Sequence, residues 1–427
     1  MDVFMLIGSL LLLIAIGVPV AYALGLASLV AAWWVDIPYE AIMIKIATGV
    51  NSFSLLAIPF FVLAGAIMAE GGMARRLVNM AFVFVGWIRG GLSLVNILAS
   101  SFFGCISGSS VADTASIGSV MIPQMVKAGY PRVFATNVTI CGSVQAILIP
   151  PSHNAVIYSL AAGGTISIAH LFIAGVFPGL LLGLSLVTLC LVIARREGYP
   201  RGEPVPFRQA VRIVIDAMWG LGTMVIILGG ILSGVFTATE SASVACVYAF
   251  LVTMFVYRDY KWKDLPKLVH RTVKTVAMVM ILIGFASSFG YMMAIMQLPA
   301  KLTAFFLTVS DNKYVVLLLI NLMLLVLGAL MDLAPLLLIC TPILLPVVKT
   351  FGVDPLHFGM IMMVNLGIGL VTPPVGTTLF VGCAVGKVTI EEVMKGIWPF
   401  YGAMLVTLAL VTYVPAISLW LPGLFKF

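Results

Sequence analysis

The sequence predicts an all-α polytopic membrane protein made of two inverted-topology repeats, each containing a re-entrant helical hairpin and a broken helix. The chain has 427 residues, of which 62% are hydrophobic and only 9% are charged. Its apolar stretches repeatedly exceed the roughly 20 residues that a helix needs to cross a bilayer. Runs such as 171–194 show no alternation of apolar and polar residues. Helices rather than a β-barrel must therefore satisfy the backbone in lipid.

An internal repeat sets the register of the chain. Sliding the sequence on itself by 223 positions aligns proline and glycine residues near the middle of each half. The aligned pairs are Pro123 and Pro346, Gly129 and Gly352, Pro150 and Pro373, Pro151 and Pro374, and Gly163 and Gly386. Composition alone would give about one match over this stretch. The halves are therefore duplicated, which is typical of transporter folds.

The first half of the chain predicts a helical scaffold followed by a hairpin, a broken helix and a final helix. This repeat covers residues 1–194, with scaffold helices over 1–90, the hairpin over 92–126, the broken helix over 133–162 and the final helix over 169–194. The apolar block 5–34 has Gly17 and Pro19 near its middle, which predicts a pair of helices. Segment 54–69 predicts one span, whereas 75–90 is too short to cross.

The second half repeats this order after a cytoplasmic linker. The linker covers 195–215 and the second repeat 216–427, with scaffold helices over 216–309, a hairpin over 314–348, a broken helix over 356–385 and a final helix over 398–419. The apolar block 216–256 is long enough for two crossings, with Gly234 near its middle. Segment 275–296 predicts one span, and 299–309 is again short. Five crossings per repeat make the two halves point opposite ways in the membrane.

Basic residues predict the orientation of the chain. If the N-terminus is outside, 18 of the 23 basic residues lie in predicted cytoplasmic segments. These are Arg75, Arg76, Arg89, Lys127, Arg132, Arg195, Arg196, Arg201, Arg208, Arg212, Arg258, Lys261, Lys263, Lys267, Arg271, Lys274, Lys387 and Lys395. The opposite side keeps Lys45, Lys301, Lys313, Lys349 and Lys426. This asymmetry follows the positive-inside rule, places both termini in the periplasm, and accounts for the net charge of +7 without nucleic-acid binding.

The predicted binding chemistry lies where helices stop inside the membrane, because a transporter must replace the water around its cargo with fixed dipoles there. Four places qualify: 104–114, 142–154, 328–335 and 365–378. In the first hairpin, Ser109 or Ser110 can cap the returning helix, and an exposed helix N-terminus would attract a carboxylate. At the breaks, consecutive prolines free the carbonyls of the preceding turn, and carbonyls suit a hard cation such as sodium.

Three acidic residues lie among apolar segments. Asp113 and Asp332 are placed at membrane depth, where a functional role is the default hypothesis, although each could simply cap a half-helix. Glu240 lies outside the hairpins, which favours a structural polar contact over a role in transport. The six cysteines lie in apolar segments without CxxC spacing, so we predict packing roles rather than disulfides or a metal site.

Four stretches together resemble the large membrane subunit of tripartite ATP-independent periplasmic (TRAP) transporters. They are 17–21 (GVPVA), 104–115 (GCISGSSVADTA), 234–240 (GVFTATE) and 372–376 (TPPVG). The resemblance covers essentially the whole chain and implies a sodium-coupled elevator in the bacterial inner membrane, with a fold like that of the ion-transporter superfamily. It also implies carboxylate substrates, such as C4-dicarboxylates, sialic acids or other sugar acids. A periplasmic binding protein and a small four-helix membrane subunit are the implied partners, and we expect the latter to be a separate chain.

The resemblance also implies the residues that bind the cargo. One sodium site would fall around Ser107, Ser109, Gly142, Ser143 and Pro150, and a second around Asp332, Asn365, Gly369 and Thr372. The predicted contacts to the organic acid are Ser107, Gly108, Ser109, Ser110, Asp113, Ser152, Asn154, Gly376 and Thr377.

Other function classes fit the sequence less well. No GxxxxGK[ST] phosphate loop is present, so we expect a gradient rather than ATP to supply the energy. Sodium is preferred over protons because the breaks offer carbonyls and hydroxyls rather than a chain of ionisable groups. A passive channel would need rings of charge. An intramembrane enzyme would need a catalytic pair such as Asp113 with Asp332, or Ser152 with a histidine.

Overall fold

The computed structural model describes residues 2–425, which form helices and no strand. The predicted all-α fold class is therefore confirmed. Eight described helices are long and apolar enough to cross a membrane by length and composition, or nine if the bent pair Arg132–Leu148 and His153–Ala161 is one span. Many large apolar side chains on their outer faces are exposed, as expected of a protein whose solvent is lipid. Lys426, assigned above to the periplasmic side, lies outside the described residues.

The helices follow the predicted order in both halves. In the first half they are α1 (Asp2–Ala15), α2 (Val20–Trp34), α3 (Tyr39–Val50), α4 (Ala57–Glu70), α5 (Met73–Val85), α6 (Gly91–Ser107), α7 (Ser110–Lys127), α8 (Arg132–Gly142), α9 (Gln145–Leu148), α10 (His153–Ala161) and α11 (Ile168–Arg196). In the second half they are α12 (Phe207–Leu232), α13 (Ala238–Leu251), α14 (Leu265–Ile295), α15 (Leu298–Val309), α16 (Lys313–Leu330), α17 (Leu333–Thr350), α18 (Pro355–Gly369), α19 (Thr377–Gly386), α20 (Ile390–Tyr413) and α21 (Ala416–Leu419).

The register of 223 positions relates the helices of the two halves. In this register the bounds of α7 coincide with those of α17, and α6 begins one residue from the start of α16. Each pair forms a helical hairpin whose two helices pack against each other. The Pro150-Pro151 and Pro373-Pro374 bonds, which are also aligned, are both cis. Each follows a helix of the broken span, and the first break bends its span by 53°.

Several predicted bounds were wrong. The linker is residues 197–206 rather than 195–215, because no glycine or proline stops α12 from extending through the basic stretch after Pro206. The final helix begins at Ile390 instead of 398, since Thr389 and Glu392 form a capping box there, and it ends at Tyr413 before Pro415.

Two scaffold helices also differ from the predictions. The short helix α3 was not predicted, and α14 begins ten residues earlier than expected. The two differences are related, because α3 corresponds in the repeat register to 262–273, which includes the unpredicted start of α14.

The two halves interlock instead of standing side by side. The first-half helix α4 packs against α13, and α2 packs against α14, while α7 of the first hairpin packs against α19 beyond the second break. Helix α17 of the second hairpin packs against α10 of the first half, so each hairpin lies against elements of both repeats. Two large cores, one of them centred on α5, α6 and α7, fill the space between these helices.

An arginine clamp, Arg76 with Asp216 and Asp259, joins the halves at one end of the molecule. The Arg76 Nε atom donates to Asp216 Oδ2 at 3.1 Å, and its Nη1 atom bonds Asp259 Oδ2. Its guanidinium lies 3.7 Å from the ring centroid of Tyr257. Beside the clamp, Arg271 Nη1 donates to Glu70 Oε1 at 2.6 Å. Basic segments of both halves thus meet at one end, as the charge asymmetry requires.

Glu240 has the structural role that the sequence favoured. Its Oε2 atom accepts from the backbone N–H of Thr237 at 2.8 Å, while Thr237 Oγ1 accepts from the backbone N–H of Glu240 at 3.3 Å. These reciprocal bonds are the capping box that begins α13. The six cysteines are all free and buried.

Candidate functional site

The tip of the first hairpin packs directly on the first break. Helix α6 ends at Ser107 and is followed by Gly108, whose φ of +58° suits glycine. The Ser109 side chain caps α7 by accepting from the N–H of Ala112 at 3.3 Å. A Cβ atom on Gly108 would lie 3.0 Å from the carbonyl oxygen of Pro151. Asn154 Nδ2 donates to the Gly108 carbonyl at 3.2 Å. The tip therefore needs a glycine to approach the break this closely.

A row of hydroxyl groups joins this tip to both breaks. Ser110 Oγ lies 2.8 Å from Ser143 Oγ and 3.0 Å from Thr378 Oγ1. Ser143 donates its hydroxyl proton to the Ile140 carbonyl at 2.7 Å, so Ser110 must donate to Ser143 and Thr378 to Ser110. The predicted residues Ser110 and Ser143 are thus in contact. Thr378, which was not among the predicted ligands, links them to the second repeat.

The tip of the second hairpin packs on the second break in the same manner. Asp332 is the N-cap of α17, and its Oδ1 atom accepts from the Leu333 N–H at 2.9 Å. The Thr377 hydroxyl donates to the same oxygen at 3.5 Å, and the Val375 N–H donates to the carbonyl of Ala329 at 3.0 Å. Asp332 thus caps a half-helix and also contacts the break.

Two glycines bring α16 and α18 into backbone contact. A Cβ atom on Gly369 would lie 2.6 Å from backbone atoms of Gly328, so neither position has room for a side chain. One turn earlier in α18, Asn365 Nδ2 donates to the Asn321 carbonyl at 2.9 Å and to Asn321 Oδ1 at 2.8 Å. Asn321 was not predicted. It is the single polar residue within the apolar run 315–327, and this isolation was a usable signal.

Each break holds a buried oxygen atom with no hydrogen-bond partner among the described residues. At the first break it is Ser152 Oγ, and at the second it is Asn365 Oδ1. Both residues are at most 1% exposed. A buried polar atom without a partner is costly, and oxygen atoms are the ligands that hard cations prefer. The two breaks therefore fit sodium. Ser152 also lacks the hydrogen-bonded base that a serine nucleophile requires.

Other predicted sodium ligands are already engaged but keep a free lone pair. The Gly142 carbonyl accepts from Gln145 Nε2 at 3.0 Å, and the Thr372 hydroxyl donates to the Ile368 carbonyl at 2.8 Å. The Gly142 carbonyl oxygen keeps a second lone pair, and the Thr372 hydroxyl, which donates its proton, can still accept or coordinate through its oxygen. Pro150 is buried at the first break, beside Pro151. Because proline has no N–H, the carbonyl is the only backbone group of Pro150 that can bind a ligand.

The predicted substrate residues divide by exposure. Ser107, Ser109 and Thr377 are half-buried, whereas Gly108, Ser110, Ser152 and Asn154 are buried. Asp332, predicted as a sodium ligand, is exposed. Gly376 is buried where α19 begins. Asp113 instead lies behind the first tip and is fully buried, with the Ser100 hydroxyl as its polar neighbour. Asp113 is therefore not on the surface that a substrate would meet.

Comparisons with known proteins agree with this architecture. A family model described as the DctM component of tripartite ATP-independent periplasmic transporters matches residues 7–417. The chain is 38% identical to a C4-dicarboxylate TRAP transporter large permease of Rhodobacter capsulatus, over 99% of each chain. It is 40% identical to a sialic acid TRAP transporter large permease of Vibrio cholerae, over 88% of each chain. It is also 40% identical to an isethionate TRAP transporter permease of Oleidesulfovibrio alaskensis, covering 98% of this chain and 66% of that protein.

A solved structure has a similar fold. The YdaH transporter of Alcanivorax borkumensis, described as having an unusual topology, superposes with a TM-score of 0.61. The superposition covers 90% of this chain and 88% of the transporter, at 14% sequence identity. At that identity the likeness concerns the fold alone.

Proposed function

Because the chain belongs to the family of DctM components of tripartite ATP-independent periplasmic transporters, we propose that this large permease takes up a small organic acid together with sodium ions. Family members are transport components, and the chain is not an enzyme. The named relatives carry C4-dicarboxylates, sialic acid and isethionate, all small organic anions. The proposed substrate is a carboxylate of this kind, such as a C4-dicarboxylate, a sialic acid or a sugar acid.

One observation carries the proposal of sodium coupling. Each break holds one buried oxygen, Ser152 Oγ or Asn365 Oδ1, that no donor in the described chain satisfies. A desolvated cation at each break would be the missing partner of this oxygen. The nearby carbonyl and hydroxyl oxygens would replace the water shell of the cation. Asp332 adds a negative charge only at the second break. The first site would rely on neutral oxygens.

The proposed mechanism is an elevator. Contacts of the first tip with both breaks, through Asn154 and Thr378, support the hairpins and broken helices moving as one transport domain. The substrate would bind against the half-buried hydroxyls of Ser107, Ser109 and Thr377. An ion ordering each tip would complete this surface before the domain moves. Helices α1–α5 and α12–α15 would form the stationary scaffold.

The proposed partners follow from the family. A periplasmic binding protein would deliver the organic acid, and a small four-helix membrane subunit, as a separate chain, would stiffen the scaffold in the lipid bilayer. The protein is a multi-pass membrane protein, and we place it in the bacterial inner membrane. The charge asymmetry supports a periplasmic position for both termini.

Transport in proteoliposomes tests this function. The chain is reconstituted with the small subunit, and the binding protein is added outside with a radiolabelled acid that a thermal-shift screen shows it to bind. We expect uptake only with an inward sodium gradient, whereas a proton gradient or ATP should not replace sodium. Uptake that is equal in sodium and in choline would refute sodium coupling.

Variants at the second break test the proposed ion site. We expect Asp332→Asn and Pro373→Ala to raise the sodium concentration for half-maximal uptake while leaving membrane insertion intact. Unchanged sodium dependence in both variants would remove this site from the proposal.

A further inference from the structure

A large cavity separates the first hairpin from the scaffold. It has a volume of about 640 Å³ and lies between the turn joining α4 to α5 and the outer face of α7. The arginine clamp forms part of its wall, so the cavity lies at the end of the molecule that carries the basic segments. In the orientation that the charges favour, this end is cytoplasmic.

Helix α7 presents a small and polar face to this cavity. Ala115, Ser116 and Ser119 line it, while Ile117 and Gly118 on the same helix are buried. Ser116 lies seven residues after the tip residue Ser109, or about 10 Å along the helix. The α7 part of the cavity wall therefore begins at Ala115, between one and two turns beyond the tip, and continues toward the cytoplasmic end. Its hydroxyl groups can replace hydration of a polar cargo on the way.

Arg75 is the one described arginine in the cavity wall that has no carboxylate partner, whereas Arg76 shares a single positive charge between two aspartates. The carboxylates of Asp216 and Asp259 are paired with Arg76, and that of Glu70 is paired with Arg271. Arg75 also lines the cavity and is exposed, and it has no hydrogen bond or ion pair with any other described side chain. Its guanidinium is therefore free to bind a carboxylate.

The second repeat lacks these features at the matching position. A smaller cavity of about 300 Å³ lies against α17, and its lining contains no charged residue among those described. The α17 residues that line it are Leu338 and Pro342, which correspond in the repeat register to Ala115 and Ser119. The polar face and the free arginine therefore belong to the first repeat only.

We propose that the larger cavity is the vestibule through which the organic acid reaches the cytoplasm, and that Arg75 binds the carboxylate of the acid there. This assignment rests on the proposed transport of organic acids. Arg75 would act as a transient anion site between the hairpin tip and the cytoplasm. It would attract the acid that leaves the hairpin tip. In an exchange assay it would also attract the acid that enters from the cytoplasmic side.

Charge-selective labelling tests the vestibule without any need for transport. Ser119→Cys places a thiol on the α7 face, and the six native cysteines are buried. The purified full chain is treated with methanethiosulfonates carrying a sulfonate or a trimethylammonium group, and the two reaction rates are compared. We expect Arg75→Gln to lower the ratio of anionic to cationic rates by about fivefold or more. Arg208→Gln, which removes an exposed arginine outside the cavity, should leave the ratio unchanged.

A transport arm separates the failure of this inference from that of the proposed function. In proteoliposomes, Arg75→Gln should raise the internal half-saturating concentration for exchange about tenfold, and Arg75→Lys should recover part of this loss. An unreactive thiol, or an equal rate ratio in the parent and Arg75→Gln proteins, would overturn the vestibule. If labelling follows the expectation but the parent protein takes up no organic acid with sodium, the proposed function fails while the anion selectivity of the cavity stands.

Discussion

Replacing Gly369 by alanine tests the close contact between the second hairpin and the second break. The added Cβ atom would lie 2.6 Å from the backbone of Gly328, and backbone atoms cannot rotate away as a side chain does. Overpacking of this kind costs about 2 kcal/mol, which corresponds to about thirtyfold in an equilibrium constant. Because Gly369 ends the helix that carries Asn365, the strain falls on the proposed sodium site.

We therefore expect Gly369→Ala to raise the sodium concentration for half-maximal uptake about thirtyfold in proteoliposomes. The sodium-dependent rise in thermal stability of the purified protein should shift to higher sodium by a similar factor. Gly402→Ala is the matched control. Gly402 lies in the same repeat, and a Cβ atom there would meet nothing within 4 Å. Equal sodium dependence in both variants would refute the argument that this glycine contact shapes the ion site.

Four further substitutions separate ion binding from folding. Asp332→Asn keeps an N-cap but removes the charge, so half-maximal activation should need about tenfold more sodium while thermal stability without sodium changes little. If stability without sodium falls as much as sodium affinity, the residue acts only as a cap. Ser110→Ala removes two hydroxyl contacts and should raise the sodium concentration for half-maximal uptake about threefold to tenfold. An unchanged sodium concentration would contradict a role for the row of hydroxyl groups. Arg76→Ala should cost about 1–3 kcal/mol in chemical denaturation, whereas Lys267→Ala, which breaks an exposed pair, should cost almost nothing; equal costs would contradict the clamp. Glu240→Ala should lower the thermal midpoint slightly, through loss of the capping box, and leave the sodium dependence of uptake unchanged. A shifted sodium requirement would give Glu240 a role in transport.

The duplicated pattern of glycine and proline was enough to locate both tips and both breaks. Such residues act on the backbone locally, so their effect can be read without knowing the packing. Helix α3 and its repeat mate, the start of α14, were both missed. Helix α3 is short and carries Glu40 and Lys45, which hide it from a search for apolar spans. Capping by Glu240 was visible for the same local reason.

Contacts between distant helices were not predictable from the sequence. Ser110 and Thr378 are 268 residues apart, and nothing in either local sequence indicates the other. Asn321 accepts hydrogen bonds from Asn365 Nδ2 only because α16 and α18 meet at two glycines. The vestibule likewise depends on which arginine the carboxylates leave unpaired, and Arg75 and Arg76 are adjacent and identical in type. Tertiary packing decides each of these outcomes.

The hydroxyl contact between Ser110 and Thr378 makes the two proposed ion sites thermodynamically dependent on each other. An ion that orders the first tip also restrains the start of α19, next to the second site. Binding of the second ion would therefore cost less conformational entropy. Sodium activation should consequently be sigmoidal, with a Hill coefficient above one. Loss of this single contact should return the curve toward a simple hyperbola even if each ion still binds.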